Sequence, residues 1–141
     1  MPKPTTVLVV DDDPIEQDLI TRAFGKAGFG CQIRAVKYWD QAVEYLNGEG
    51  DYKDRENFPL PDLIILDHSM PGNGCELLKW LRTDPQLQSV PVVVFSGSSN
   101  PADESHAMKL GANAYHSKPQ AFDEYVQVVK RIGEFWLRNF E

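Results

Sequence analysis

The sequence has little that would hold it together by covalent or metal cross-links. Its cysteines are Cys31 and Cys75 alone, and they form no CxxC and no cluster with histidine. That argues against a disulfide framework and a zinc site, and it fits a reducing compartment. Basic charge is also short: 14 Lys and Arg stand against 21 Asp and Glu, for a net charge of -7. A general nucleic-acid surface needs a basic patch, so nucleic acid is not an expected partner. Long hydrophobic runs are missing too. The opening MPKPTT leads into only VLVV, which is neither a signal peptide nor a membrane span. A cytoplasmic protein without a membrane partner is expected. Neither GxGxxG nor GxxxxGK[ST] follows the first apolar run, which disfavours a nucleotide-binding fold. At 141 residues the chain is expected to be a single domain spanning 1–141, with no output domain.

What is present is an alternation. Val7–Val10, Leu63–Leu66 and Val92–Phe95 are apolar without period-2 alternation, as suits strands buried on both faces of a parallel sheet. Cys31–Val36 and Ala112–Tyr115 are weaker strand candidates. Between them lie helical spacings: Ile15 to Ala27 ended by Gly28, Tyr38 to Leu46, a stretch around Leu77, Leu78 and Leu81, and Ala102 to Leu110. The last helix runs from Phe122 to Phe140, with Phe122, Val126, Val129, Ile132, Trp136 and Phe140 on one face. Strand and helix alternate five times, so an α/β class is expected, with a doubly wound parallel sheet and right-handed crossovers. The polar stretch 48–61, GEGDYKDRENFPLP, reads as an extended loop, and Asp51 to Asn57 within it as a solvated surface that could also select a kinase partner.

In such sheets functional groups collect at the carboxyl ends of the strands. There the sequence places Asp11, Asp12 and Asp13, then Asp67, then Ser96, then Lys118. Carboxylates from adjacent strands repel unless a cation joins them, and hard oxygen ligands with room for water suit Mg2+. A carboxylate can itself accept a phosphoryl group. Lys118 supplies a point charge for phosphate oxygens, and Ser96 a hydroxyl. Asp13-Pro14 reads instead as a helix N-cap followed by Pro at the first helical position.

The set VLVVDDD, LIILD, VVVFSG and LGANAYHSKP resembles the response regulator receiver domain of two-component signalling, over essentially the whole chain. The resemblance implies a five-stranded, flavodoxin-like (βα)5 fold with strand order 2-1-3-4-5. It implies Asp67 as phosphoacceptor, Asp11 and Asp12 as acidic metal ligands beside Asp67, and the Ser69 carbonyl as a further Mg2+ ligand. It also implies Ser96 as switch hydroxyl, Tyr115 as aromatic switch, Lys118 as phosphate-binding lysine and a cis Lys118–Pro119 bond. The function implied is phosphoryl acceptance from a histidine kinase or a histidine phosphotransfer protein. A signal would then leave through the surface of the fourth helix, fifth strand and fifth helix. The long loop before the third strand and the extended last helix resemble cyanobacterial phytochrome response regulators, which implies a phytochrome as kinase and a homodimer.

Some residues depart from the family pattern. The loop MPGNGCE is one residue short of the usual one. Ser69 and Ser98 are small side chains flanking the site, which would leave a phosphoryl group open to water or a partner. His68 follows Asp67, and strand neighbours point to opposite faces, so it is not assigned as a base. His106 and His116 read as surface or helix residues. Tyr125, Val128 and Phe135 add apolar area beside the core stripe of the last helix. An aspartyl phosphatase would want an acid at Ser69, so catalysis of hydrolysis is not expected. A phosphorylation-independent interaction module is the remaining alternative.

Overall fold

The structure, a computed structural model, describes residues 5–67, 74–97 and 100–137. The expectations for His68, Ser69, Ser98, Phe140 and the loop after Asp67 lie outside the described residues. The order is β1 (Thr6–Val10), α1 (Pro14–Ala27), β2 (Gln32–Val36), α2 (Trp39–Asn47), a 3-10 turn (Gly50–Tyr52), β3 (Leu63–Asp67), α3 (Gly74–Thr83), β4 (Val92–Ser96), α4 (Pro101–Lys109), β5 (Ala114–Ser117) and α5 (Phe122–Trp136). The strands form one parallel sheet in the order β2-β1-β3-β4-β5.

Both faces of the sheet are covered, which is why its central strands are apolar throughout. Leu8, Val10, Ile64, Leu66, Val92 and Val94 face α2, α3 and α4. Val7, Val9, Leu63, Ile65, Val93 and Phe95 face α1 and α5. All five residues of β1, β3 and β4 are buried. Because the strands are parallel, β1, β3, β4 and β5 all end on the same edge.

Four expectations need correction. β5 lies two residues later than the apolar signal, at Ala114–Ser117. As an edge strand it is only partly covered, so its polar residues gave no strand-like pattern. His116 accordingly sits on β5, edge-on to the Phe95 ring at 6.0 Å, and not on a helix or the open surface. On α5 the buried face is Tyr125, Val129, Ile132 and Gly133. Tyr125 is therefore core, whereas Phe122 is 36% exposed. Finally, no peptide bond among the described residues is cis, so Lys118–Pro119 is trans, the form X–Pro bonds favour by about 0.5–1 kcal/mol.

The stretch 48–61 is a solvated loop that is pinned at its aromatic residues and at Arg55. Its acidic residues Asp51, Asp54 and Glu56 are exposed, but Tyr52 and Phe58 close on Tyr45 of α2 with ring centroids 5.1 and 6.0 Å away. Arg55 then binds carbonyls at the end of α2 and in the loop itself. Its Nη1 donates to Tyr45 O at 2.7 Å and Phe58 O at 3.0 Å, and its Nη2 to Leu46 O at 2.8 Å. Gly48, with φ +68, ends the helix where a Cβ would lie 2.9 Å from that guanidinium. Arg55→Lys loses the planar fork. It is expected to destabilise the fold by about 1–3 kcal/mol in urea unfolding, without touching the site.

Gly133 is a second place where a side chain is refused. A Cβ there would meet the Phe29 ring at 2.2 Å. Helix propensity alone favours Gly133→Ala by about 1 kcal/mol. Overpacking against Phe29 outweighs it, and the expected result is a loss of about 1–3 kcal/mol. The loss shrinks in a Phe29→Leu background; a stabilised Gly133→Ala would refute the close packing.

Candidate functional site: an acidic pocket at the sheet edge

Each strand delivers its group at its last residue or the one after it. Asp11 follows β1, and its N–H donates to Val36 O at 3.1 Å, extending the β1–β2 ladder by one bond. Gln17 of α1 holds this exit from above: its Nε2 donates to Asp11 O at 2.7 Å and Val36 O at 3.2 Å. Asp13 is the N-cap of α1, accepting from Ile15 N–H at 2.9 Å, with Pro14 next. Asp67 closes β3, paired in register with Phe95. Ser96 closes β4. The Lys118 N–H donates to Ser96 O at 2.6 Å, tying the exits of β4 and β5 together.

The side chains converge. One carboxylate oxygen from each of Asp11, Asp12 and Asp67 lies within 4.8 Å of the others. Lys118 Nζ sits 3.4 Å from Asp11 Oδ2 and 3.3 Å from Asp67 Oδ1. Asp11 and Asp67 are only 2% and 3% exposed, and Ser96 only 1%. Asp12 is partly exposed and faces the opening. Tyr115 is half-buried on the α4 side of β5, against the cluster that includes Ala107 and Ala112.

Burial pushes the Asp11 carboxyl up to about 6, and the Asp67 carboxylate adds to the push. The Asp13 N–H and Lys118 pull the other way. For Lys118, burial disfavours the ammonium, but the carboxylates of Asp11, Asp67 and Glu16 outweigh it and hold the pKa above the usual lysine range. A pocket that crowds carboxylates around one ammonium favours another cation. Clustered carboxylate oxygens with Asp12 partly exposed suit a hard cation such as Mg2+, which takes oxygen ligands and keeps several waters.

Comparison with known proteins decides the family. The response regulator receiver domain model matches residues 7–130. The chain belongs to the response regulator receiver domain family. Receiver domains are signalling modules that bind Mg2+ at an acidic pocket, and the cluster of Asp11, Asp12 and Asp67 is the acidic pocket of this one. Response regulator Rcp1 of Synechocystis sp. is 29% identical over 137 residues, covering 96% of this chain and 91% of its own. The Mn2+-bound form of Rcp1 superposes with a TM-score of 0.84 at 27% identity, covering 98% of each chain. The phosphorylated cyanobacterial phytochrome response regulator RcpA superposes with a TM-score of 0.86 at 34% identity, covering 96% of each. Response regulator RPA3017, in red light signaling of R. palustris, gives a TM-score of 0.90 at 28% identity, covering 97% of this chain and 96% of that one. This receiver domain is thus close to the cyanobacterial phytochrome response regulators in sequence and structure.

Reading the sequence alone left out Gln17, which locks the Asp11 carbonyl, and the pair Glu16–Tyr125, whose hydrogen bond joins α1 to α5. A glutamine has no signature at that position. Nor has the pair: the spacing from Asp13 to Glu16 is that of a capping box, which points Glu16 at the Asp13 N–H and not at Tyr125. Among the described residues no helix is long and apolar enough to cross a membrane.

Proposed function

We propose that this receiver domain accepts a phosphoryl group on Asp67 from a phosphohistidine of a histidine kinase or histidine phosphotransfer protein. The single observation that carries this is Lys118 Nζ bridging the buried carboxylates of Asp11 and Asp67 at 3.4 and 3.3 Å. That geometry keeps a positive charge beside the one carboxylate at the end of the central strand. Asp67 attacks phosphorus; a P–O bond forms, the P–N bond breaks, and the histidine nitrogen leaves with the bonding electron pair. Asp11, Asp12 and Asp67, with the Ser69 carbonyl that the family resemblance implies, would hold Mg2+, which would supply positive charge to the phosphoryl group. Lys118 and the Ser96 hydroxyl take the remaining phosphoryl oxygens. The likeness to RcpA and RPA3017 supports a phytochrome as the kinase.

Phosphorylation adds up to about two negative charges and new acceptor oxygens. Ser96 turns toward them, and Tyr115 packs inward behind it, reshaping the α4–β5–α5 surface. Phe135, 71% exposed, and Trp136 border a cavity of about 280 Å3 on this side, which supports use of α5 as a homodimer face. Ring and amide NMR with and without a phosphoryl mimic tests the switch: Tyr115 resonances are expected to move, and unmoved ones sink it. Sedimentation of the phosphorylated and unphosphorylated protein tests the dimer, which a monomer at high concentration in both states would remove. Partner binding by Asp67→Asn at full strength, with no response to phosphodonors, would favour a phosphorylation-independent module.

A further inference from the structure

Asp13-Pro14-Ile15-Glu16 has the spacing of a capping box. In that motif the N-cap side chain accepts from the first turn, and the residue three on reaches back to the N-cap's own N–H. Only the first half forms here. Asp13 Oδ1 accepts from Ile15 N–H at 2.9 Å. The Asp13 N–H instead donates to Asp11 Oδ1, also at 2.9 Å. Glu16 is turned away, and its Oε2 accepts from the Tyr125 hydroxyl on α5.

The bland account is that a buried tyrosine needs a partner and that a first-turn glutamate favours the helix dipole wherever it points. Neither explains why Glu16 leaves the nearest donor. Two carboxylates, Asp11 and Glu16, have local access to one N–H, and one of them must be held off. Tyr125 can do this because its own position is fixed. Its ring is 2% exposed, packed between α1 and α5, edge-on to Phe95 at 6.5 Å.

We propose that Tyr125 is a positioning residue for the metal pocket: by keeping Glu16 on α5, it reserves the Asp13 N–H for Asp11. This rests on the reading of Asp11 as a metal ligand. Asp11 is then oriented at both oxygens, with Oδ1 on the Asp13 amide and Oδ2 toward Lys118 at 3.4 Å. Glu16 released from Tyr125 would take the amide and free Asp11 to rotate. It would also carry its charge closer to a pocket where it already favours the charged Lys118. Outer hydrogen bonds that orient a metal ligand contribute about 10–100-fold to affinity. The pocket's affinity for Mg2+ thereby becomes a property of α5, the helix packed beside α1 on the same face of the sheet.

The test uses the unphosphorylated full chain and Mg2+ alone. Tyr125→Phe keeps the ring and removes the hydroxyl; its Mg2+ dissociation constant is expected to rise about tenfold. Glu16→Ala removes the competitor and is expected to bind like wild type, apart from the loss of one remote charge. The double variant is expected to return to the Glu16→Ala value. In metal-free protein the Asp13 amide resonance should shift in Tyr125→Phe and return in the double variant. Wild-type affinity in Tyr125→Phe overturns the proposal. So does a double variant as weak as Tyr125→Phe, because a purely structural hydroxyl is not rescued by removing Glu16. Neither readout involves phosphoryl transfer, so a failure of Asp67 to be phosphorylated would be seen separately in wild type.

Discussion

Asp67→Asn is expected to gain no phosphoryl group when incubated with acetyl phosphate and Mg2+, under conditions where wild type shows the added mass of one. The substitution is close to isosteric at a side chain only 3% exposed, so shape is kept and the nucleophilic oxygen is lost. Two other carboxylates stand within reach of the same donor, and they do not substitute for it. Asp11 is committed at both oxygens, to the Asp13 amide and to Lys118. Asp12 sits at the opening, partly exposed. Asp67 alone lies at the end of the central strand, facing Lys118 at 3.3 Å, next to the strand that ends in Ser96. Nor should the variant unfold: removing one of two like charges leaves Lys118 paired with Asp11. An adduct of undiminished yield on a folded Asp67→Asn would move the acceptor elsewhere.

How much of this could be read beforehand depended on what each signal was made of. VLVV, LIIL and VVVF announced their burial because both faces of β1, β3 and β4 are covered, and burial on two sides leaves no room for alternation. Their ends then located Asp11, Asp67 and Ser96 without any tertiary information. β5 was displaced because an edge strand reading AYHS obeys its neighbours more than its own hydrophobicity. On α5 the expected stripe holds in its middle, with Val129 and Ile132 buried and Val126 and Trp136 packed against the core, but Phe122 at the helix's first turn is 36% exposed, and Gly133, silent in any hydrophobic pattern, holds the close approach of Phe29. Arg55 in the stretch 48–61 looked like solvated charge, since nothing local says that α2's last carbonyls lie in its path. The contacts that escaped are those made by polar side chains across elements. Their partners lie far away in sequence, as Glu16 and Tyr125 do.

Lys118→Met should destabilise the metal-free protein by about 3 kcal/mol, the low end of what removing one partner of a buried ion pair costs. Methionine keeps an unbranched stem of similar length, so the change reads mainly the charge. The Lys118 side chain is 17% exposed, and its two partners are 2% and 3% exposed, so solvent does little to replace the ammonium. The cost stays at the low end because Asp11, already raised to about 6, relieves part of the repulsion by taking up a proton. Mg2+ is expected to stabilise Lys118→Met more than it stabilises wild type. A divalent cation among three carboxylates does more where the ammonium no longer shares the work. Paired urea unfolding curves with and without Mg2+ measure the difference, and equal increments in the two proteins would show that Lys118 is not neutralising the pocket. Stability and signalling should then separate. Mg2+ restores charge balance at Asp11 and Asp67, but it does not replace the ammonium that reaches across the pocket from the carboxyl end of β5 to Asp67 Oδ1 at 3.3 Å. Lys118→Met in Mg2+ should therefore fold with most of its stability recovered and still fail to move Tyr115 when a phosphoryl mimic is added.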